Sequence, residues 1–163
     1  MKKVLVVMGS DSDLKVMEKC VDRLKSFDIP TEVRICSAHR TPAVAEQLAK
    51  NAAAEGFGVI IAAAGKAAHL GGVLAAYTTL PVIGVPMATS VIGGMDSLLS
   101  IVQMPKGIPV ATVAIDGADN AAILAAQMIA LSDDTLAQKL AQFKADMAAE
   151  VTAKDEKVRA QFA

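Results

Sequence analysis

The sequence predicts an α/β protein, a three-layer α/β/α sandwich built on a parallel sheet, and three observations carry that prediction. Five short β-like runs, Lys3–Met8, Thr31–Ser37, Val59–Ala64, Val82–Val85 and Val110–Ile115, alternate with helical patterns at Leu14–Phe27, Ala43–Glu55, Leu70–Tyr77, Met95–Val102 and Asn120–Ala130. Such alternation implies parallel pairing. Each crossover must be right-handed and both sheet faces need cover, so a doubly wound topology of the flavodoxin-like or Rossmann-like kind is the economical one, with strand order 2-1-3-4-5. Finally, no repeat, low-complexity tract or Ser/Gly linker divides the 163 residues. A chain of that length can bury roughly two thirds of its unfolded surface, enough for a single domain over 1–163.

Taken in order, the first run ends at Gly9-Ser10-Asp11-Ser12-Asp13, where Asp11, Ser12 and Asp13 can all accept from free backbone N–H groups and start a helix. Leu14, Met17, Val21 and Leu24 then recur at helical spacing, an apolar face for the sheet. Thr31 to Cys36 alternates as a strand should, and Thr41-Pro42 opens the next helix. After the alternating unit, Leu136, Leu140, Phe143, Met147, Val151 and Val158 follow a 3–4 spacing with charges between them, one long amphipathic C-terminal helix of about 133–162. It either crosses onto a neighbouring subunit or folds back over its own sheet.

Composition narrows the function. With 53% hydrophobic residues and 16 basic against 17 acidic side chains, the chain is too apolar for disorder and lacks the charge of a nucleic-acid binder. Aromatics are 3% with no Trp, which also argues against base-stacking surfaces. The aliphatic excess suggests burial between subunits. Met1-Lys2-Lys3 leads straight into a strand-like run ending at Gly9 rather than into a signal-peptide core, so the expectation is a cytoplasmic protein. The longest apolar region, Val59 to Pro86, is broken by Lys66, His69, Gly71-Gly72 and Pro81, short of the ~20 residues a bilayer span needs. Cys20 and Cys36 lack metal-ligand or CxxC spacing and read as reduced core thiols.

Four loops can carry chemistry, all on the strand-to-helix side where open parallel sheets bind ligands. Ser37-Ala38-His39-Arg40-Thr41-Pro42 sets one of only two histidines beside a guanidinium, either a reactive pair or a surface residue next to a helix-entry charge. Gly9 to Asp13 is a small-residue loop feeding a helix N-terminus, which suits an anion such as phosphate. Gly9 allows close approach, Ser10 and Ser12 add donors and Asp13 can accept from a ribose hydroxyl; ordinary capping is the alternative. Gly65-Lys66-Ala67-Ala68-His69-Leu70-Gly71-Gly72 lets a ligand approach its backbone closely. There His69, leading an apolar helix, reads as structural before catalytic, and Lys66 is either an anion contact or a solvated charge. Pro86 to Ser90, continuing to Gly93-Gly94-Met95-Asp96-Ser97, has the length and glycines of a mobile lid, and Gln103-Met104-Pro105 can reach a site from the far side. Spacing argues against familiar nucleotide motifs. No GxGxxG follows the first strand, and Gly65-Lys66 is followed by Ala67 rather than Ser or Thr. No carboxylate ends the third strand to join Asp11 and Asp13 as a phospho-receiver would need, and Tyr77 is the sole Tyr for a flavin sandwich.

Gly9-Ser10-Asp11-Ser12-Asp13, Ser37-Ala38-His39-Arg40-Thr41-Pro42, Ala67-Ala68-His69-Leu70, Leu80 to Pro86 and Asp96 to Pro105 together resemble the PurE family, class I N5-carboxyaminoimidazole ribonucleotide mutases of purine biosynthesis, from the first strand to about Leu131. The resemblance implies a cofactor-free, metal-free isomerisation that moves a carboxyl group from the exocyclic nitrogen to ring carbon C4, with His39 as acid and base. It also implies substrate contacts at Ser10, Asp13 and Arg40, with Ser12 and Ser37 nearby and Gly65, Lys66, Ala67, His69 and Leu70 along the substrate, in a homo-octamer. Two positions depart from the commoner pattern: Lys66 stands where Gly is usual, and Gly71 where Pro follows the His-Leu pair. A related class carboxylates aminoimidazole ribonucleotide directly with CO2, and Arg40 and Ala67-Ala68 favour the mutase over it. From a different class, a flavodoxin-like module would bind a phosphorylated ligand without turning it over.

Overall fold

The computed structural model describes residues 1–163. Its centre is a five-stranded parallel sheet in the order β2-β1-β3-β4-β5, formed by β1 (Lys3–Met8), β2 (Thr31–Ile35), β3 (Phe57–Ala64), β4 (Val82–Pro86) and β5 (Ala111–Thr112). Helices α1 (Leu14–Ser26), α2 (Pro42–Asn51), α3 (Leu70–Tyr77), α4 (Met95–Val102) and α5 (Ala118–Ala130) alternate with the strands, and α6 (Asp134–Gln161) closes the chain. The predicted α/β/α layering and strand order are observed, and no helix is long and apolar enough to cross a membrane.

Pleating explains the layers. Val4, Val6 and Met8 of β1 face one way and pack with Met17, Cys20 and Leu24 of α1 and the alanines of α5. Leu5 and Val7 face the other way and pack with Ala45 and Ala49 of α2 and Leu70 and Leu74 of α3. Both faces are thus buried, which is why β1 and β3 read as unbroken apolar runs. The small residues have a packing reason. A Cβ on Gly84 of β4 would overlap Ile101 Cγ2, so α4 lies directly on the backbone there.

The edges differ from expectation. β2 stops at Ile35 rather than Ser37, because after Cys36 donates to the Met8 carbonyl (2.8 Å) the Ser37 carbonyl accepts from Thr41. Its pattern is not that of a half-buried strand: Val33 and Ile35 are exposed, as an edge strand allows. β5 holds only two residues of the expected Val110–Ile115, since the chain turns at Asp116, with φ of 56°. The expected burial of the C-terminal helix divides along its length. Asp133 Oδ1 caps it by accepting from the Leu136 amide (3.0 Å), and Leu136, Leu140 and Phe143 pack on the α1/α5 layer rather than on the sheet. There Phe143 meets Phe27 edge-on at 5.6 Å and lies under the Arg23 guanidinium, itself paired with Asp119 at 2.8 Å. From residue 144 onward every residue is exposed, including Met147, Val151 and Val158.

Candidate active site

The carboxyl ends of β1, β2, β3 and β4 converge on one cavity of about 690 Å³, within the range of small-molecule sites. All eleven site residues expected from the sequence line it: Ser10, Ser12, Asp13, Ser37, His39, Arg40, Gly65, Lys66, Ala67, His69 and Leu70.

The first wall follows β1. Ser10 is extended (φ −154°) and its Oγ accepts from the Ser12 amide at 3.3 Å, opening a 3₁₀ turn at Asp11–Asp13 that runs into α1. The expected cap therefore moves. Asp11, Ser12 and Asp13 do not cap α1 with their side chains; Ser10 caps the turn, and the Ser10 and Asp11 carbonyls take the Asp13 and Leu14 amides because the chain enters α1 already coiled. Asp13 is freed from capping and lies buried, accepting from Ser12 Oγ at 3.3 Å. Burial holds its carboxyl above the usual range; the Ser12 and Ser10 hydrogen bonds oppose this, and the nearby Asp116 and Asp11 charges add to it.

The second wall is the loop between β2 and α2. Thr41 clamps it: its Oγ1 accepts from the Ser37 amide (3.1 Å) and donates to the Ser37 carbonyl (2.9 Å), while its own amide donates to that carbonyl (2.8 Å). The Arg40 amide donates to Ser37 Oγ at 3.2 Å, and Arg40 Nη2 donates to the Gly9 carbonyl at 3.3 Å, tying this loop to the first. His39 projects toward the third wall. Its Nε2 lies 2.9 Å from Nδ1 of His69, with the rings edge-on at 85°. Only one hydrogen can lie between those nitrogens, so one ring donates and the other accepts. The two histidines are 30 positions apart in sequence, and only the β2-β1-β3 strand order brings them together.

The third wall, Gly65 to Leu70, carries Lys66 in a left-handed conformation, with φ of 58°. Ser100 Oγ, which donates to the Asp96 carbonyl at 2.6 Å, lies 3.4 Å from the Lys66 carbonyl, and the Lys66 ammonium forms no ion pair. The fourth loop contributes Met87, Ala88, Thr89 and Ser90, which the sequence placed in a lid rather than in the wall. Its first residues are tied down: the Ala88 amide donates to Asp116 Oδ1 (2.9 Å), Ser97 Oγ to the Met87 carbonyl (2.6 Å) and Thr89 Oγ1 to Asp96 Oδ1 (2.9 Å). Gly94, with φ of 95°, lets it turn where a Cβ would meet Ala88 and Met87 backbone at 3.1 Å. Gln103-Met104-Pro105 does not line the cavity, and a Cβ on Gly72 of α3 would come within 3.0 Å of Met104 Sδ. Sequence reasoning also missed Asp116 as the anchor of the fourth loop, because Asp116-Gly117 carries only a turn signal.

The chain as a whole is similar to known proteins. The chain is 52% identical over 159 residues, 98% of its length and 99% of the relative's, to N5-carboxyaminoimidazole ribonucleotide mutase of Methanocaldococcus jannaschii. It is 54% identical to the protein of the same name from Mycobacterium leprae, covering 94% of this chain and 90% of that one. Among solved structures, the crystal structure of Treponema denticola PurE superposes with a TM-score of 0.87 at 30% identity, covering 94% of this chain and 96% of that one. Residues 3–150 match the family described as AIR carboxylase. With a family match over residues 3–150 and about half identity over nearly the whole chain, the protein belongs to the AIR carboxylase (PurE) family.

Proposed function

We propose that this protein is an N5-carboxyaminoimidazole ribonucleotide mutase, acting as one domain over 1–163 in the cytoplasm, with His39 as its proton shuttle. The observation that carries the reading is the 2.9 Å contact between His39 and His69 beside an anion-ready loop, in a chain about half identical to relatives that bear this name. The ribonucleotide phosphate takes the Ser10–Ser12 loop and the α1 N-terminus, with Arg40 beside it; the imidazole base then lies toward the histidines.

In this reaction the bond between the exocyclic nitrogen and the carboxyl carbon breaks, releasing CO2 into the cavity, and protonated His39 gives its proton to that nitrogen. Ring carbon C4 attacks the CO2, and the C4 proton returns to His39. Atoms and charge balance, and no other reactant enters. An imidazole suits both transfers because its ordinary pKa is near neutrality. Retention of CO2 falls to the small walls, Ala64, Gly65, Ala67 and Ala88, which leave little room for water once substrate fills the site. The same reading takes the chain as a homo-octamer, supported by the exposed Met147, Val151 and Val158 of α6 and Val91, Ile92, Met95 and Leu99 around α4.

The test compares two substrates. Efficient turnover of N5-carboxyaminoimidazole ribonucleotide, with slow carboxylation of aminoimidazole ribonucleotide at low bicarbonate, is expected. Efficient use of only the second pair would make the protein a direct carboxylase and reject the proposal.

A further inference from the structure

Lys66 is the element of the site that neither the fold nor the proton chemistry requires. Its φ of 58° is one that glycine adopts freely and that costs any L-residue energy, so a lysine there is retained against a backbone preference. Strain of this kind at a ligand-lining position points to a use for the side chain.

Charge matching identifies that use. A carboxylated ribonucleotide brings two anionic groups, the phosphate and the carboxylate. The cavity is lined by two permanent cations, Arg40 and Lys66, and one carboxylate, Asp13. Arg40 is tied to the first loop through the Gly9 carbonyl, which commits it to the phosphate end. Lys66 has no protein carboxylate to pair with, and it lines the cavity on the same loop that carries His69 three positions later.

We infer that Lys66 is a specificity-determining residue whose ammonium pairs with the migrating carboxylate, so that the site distinguishes carboxylated from uncarboxylated ribonucleotide. The inference rests on the mutase reading. It predicts an asymmetry that a solvated surface lysine would not produce. Without the ammonium, the carboxylated ligand loses a charge-assisted contact while the uncarboxylated one loses only long-range attraction.

The experiment measures equilibrium binding of 4-carboxy-5-aminoimidazole ribonucleotide and 5-aminoimidazole ribonucleotide to the full chain and to Lys66→Met, Lys66→Arg and Lys66→Gly. Lys66→Met is expected to weaken the carboxylated nucleotide about tenfold and the uncarboxylated one less than about twofold. Lys66→Arg retains the preference. Lys66→Gly loses it while melting no lower than the parent, since glycine removes the left-handed penalty, which separates lost contact from lost fold. Equal weakening of both nucleotides, or weakening of neither, overturns the inference and leaves the mutase reading standing. A parent chain that binds neither nucleotide overturns both.

Discussion

The two histidines sit on loops built in opposite ways. The loop holding His39 is closed on itself, with three hydrogen bonds between Thr41 and Ser37 and a fourth from the Arg40 amide. The loop holding His69 has little of this. Beyond the His69 amide on the Ala67 carbonyl (2.9 Å), its shape comes from outside, through the packing of buried Ala68 and Leu70, and it contains the strained Lys66. In the proposed reaction, the self-closed loop fixes the proton shuttle, while a loop held by its surroundings can adjust around the group being moved. On this view the first histidine is positioned by local chemistry and the second by the tertiary fold.

That contrast can be broken from either side. The larger effect is expected from the second histidine: His69→Asn removes the ring facing His39 Nε2, and kcat should fall about 10²-fold with the melting temperature nearly unchanged, read by steady-state turnover and thermal unfolding. Thr41→Val removes the hydroxyl that both accepts from and donates to Ser37. It should cost about 1–2 kcal/mol in denaturant unfolding and lower kcat/KM about tenfold. If Thr41→Val changes stability but not kcat/KM, the clamp serves the fold alone.

A smaller effect is expected at Asp13, and its size depends on pH. Burial raises its carboxyl above the ordinary 3.8, so the folded state holds this proton more tightly than the unfolded chain does. The penalty for ionised Asp13 is therefore absent below the unfolded value, grows as pH rises through it and is complete above the folded value. Asp13→Asn should melt about 1–3 °C above the parent at pH 7, lose that advantage as pH falls below the ordinary carboxylate range, and bind ribonucleotide more weakly. A variant that melts lower at pH 7 would show that the carboxylate stabilises the fold.

The layered fold was legible because its signals are local and repeated. Continuous apolar runs mark β1, β3 and β4, and the Leu14, Met17, Leu24 spacing marks α1. The edges were less so: β5 has two residues because its limit is a turn at Asp116, and exposed Val33 and Ile35 carry the composition of a buried strand. Every expected site residue lines the cavity because each belongs to a loop at one end of the sheet, which topology alone brings together. What could not be read was pairing across the fold. His69 reads as structural beside an apolar helix, and nothing local reveals His39 at 2.9 Å. Thr89 and Ser90 read as lid residues because the bonds that fix their loop, from Ala88 to Asp116 and from Ser97 to Met87, join it to distant or buried partners.

His39 is proposed to carry protons without being needed to hold the nucleotide. Its most direct test is His39→Asn, with ribonucleotide binding and N5-carboxyaminoimidazole ribonucleotide turnover measured on the same preparation. Affinity within about threefold of the parent and a turnover loss of at least about 10³-fold are predicted; a variant that retains near-full turnover would contradict the account.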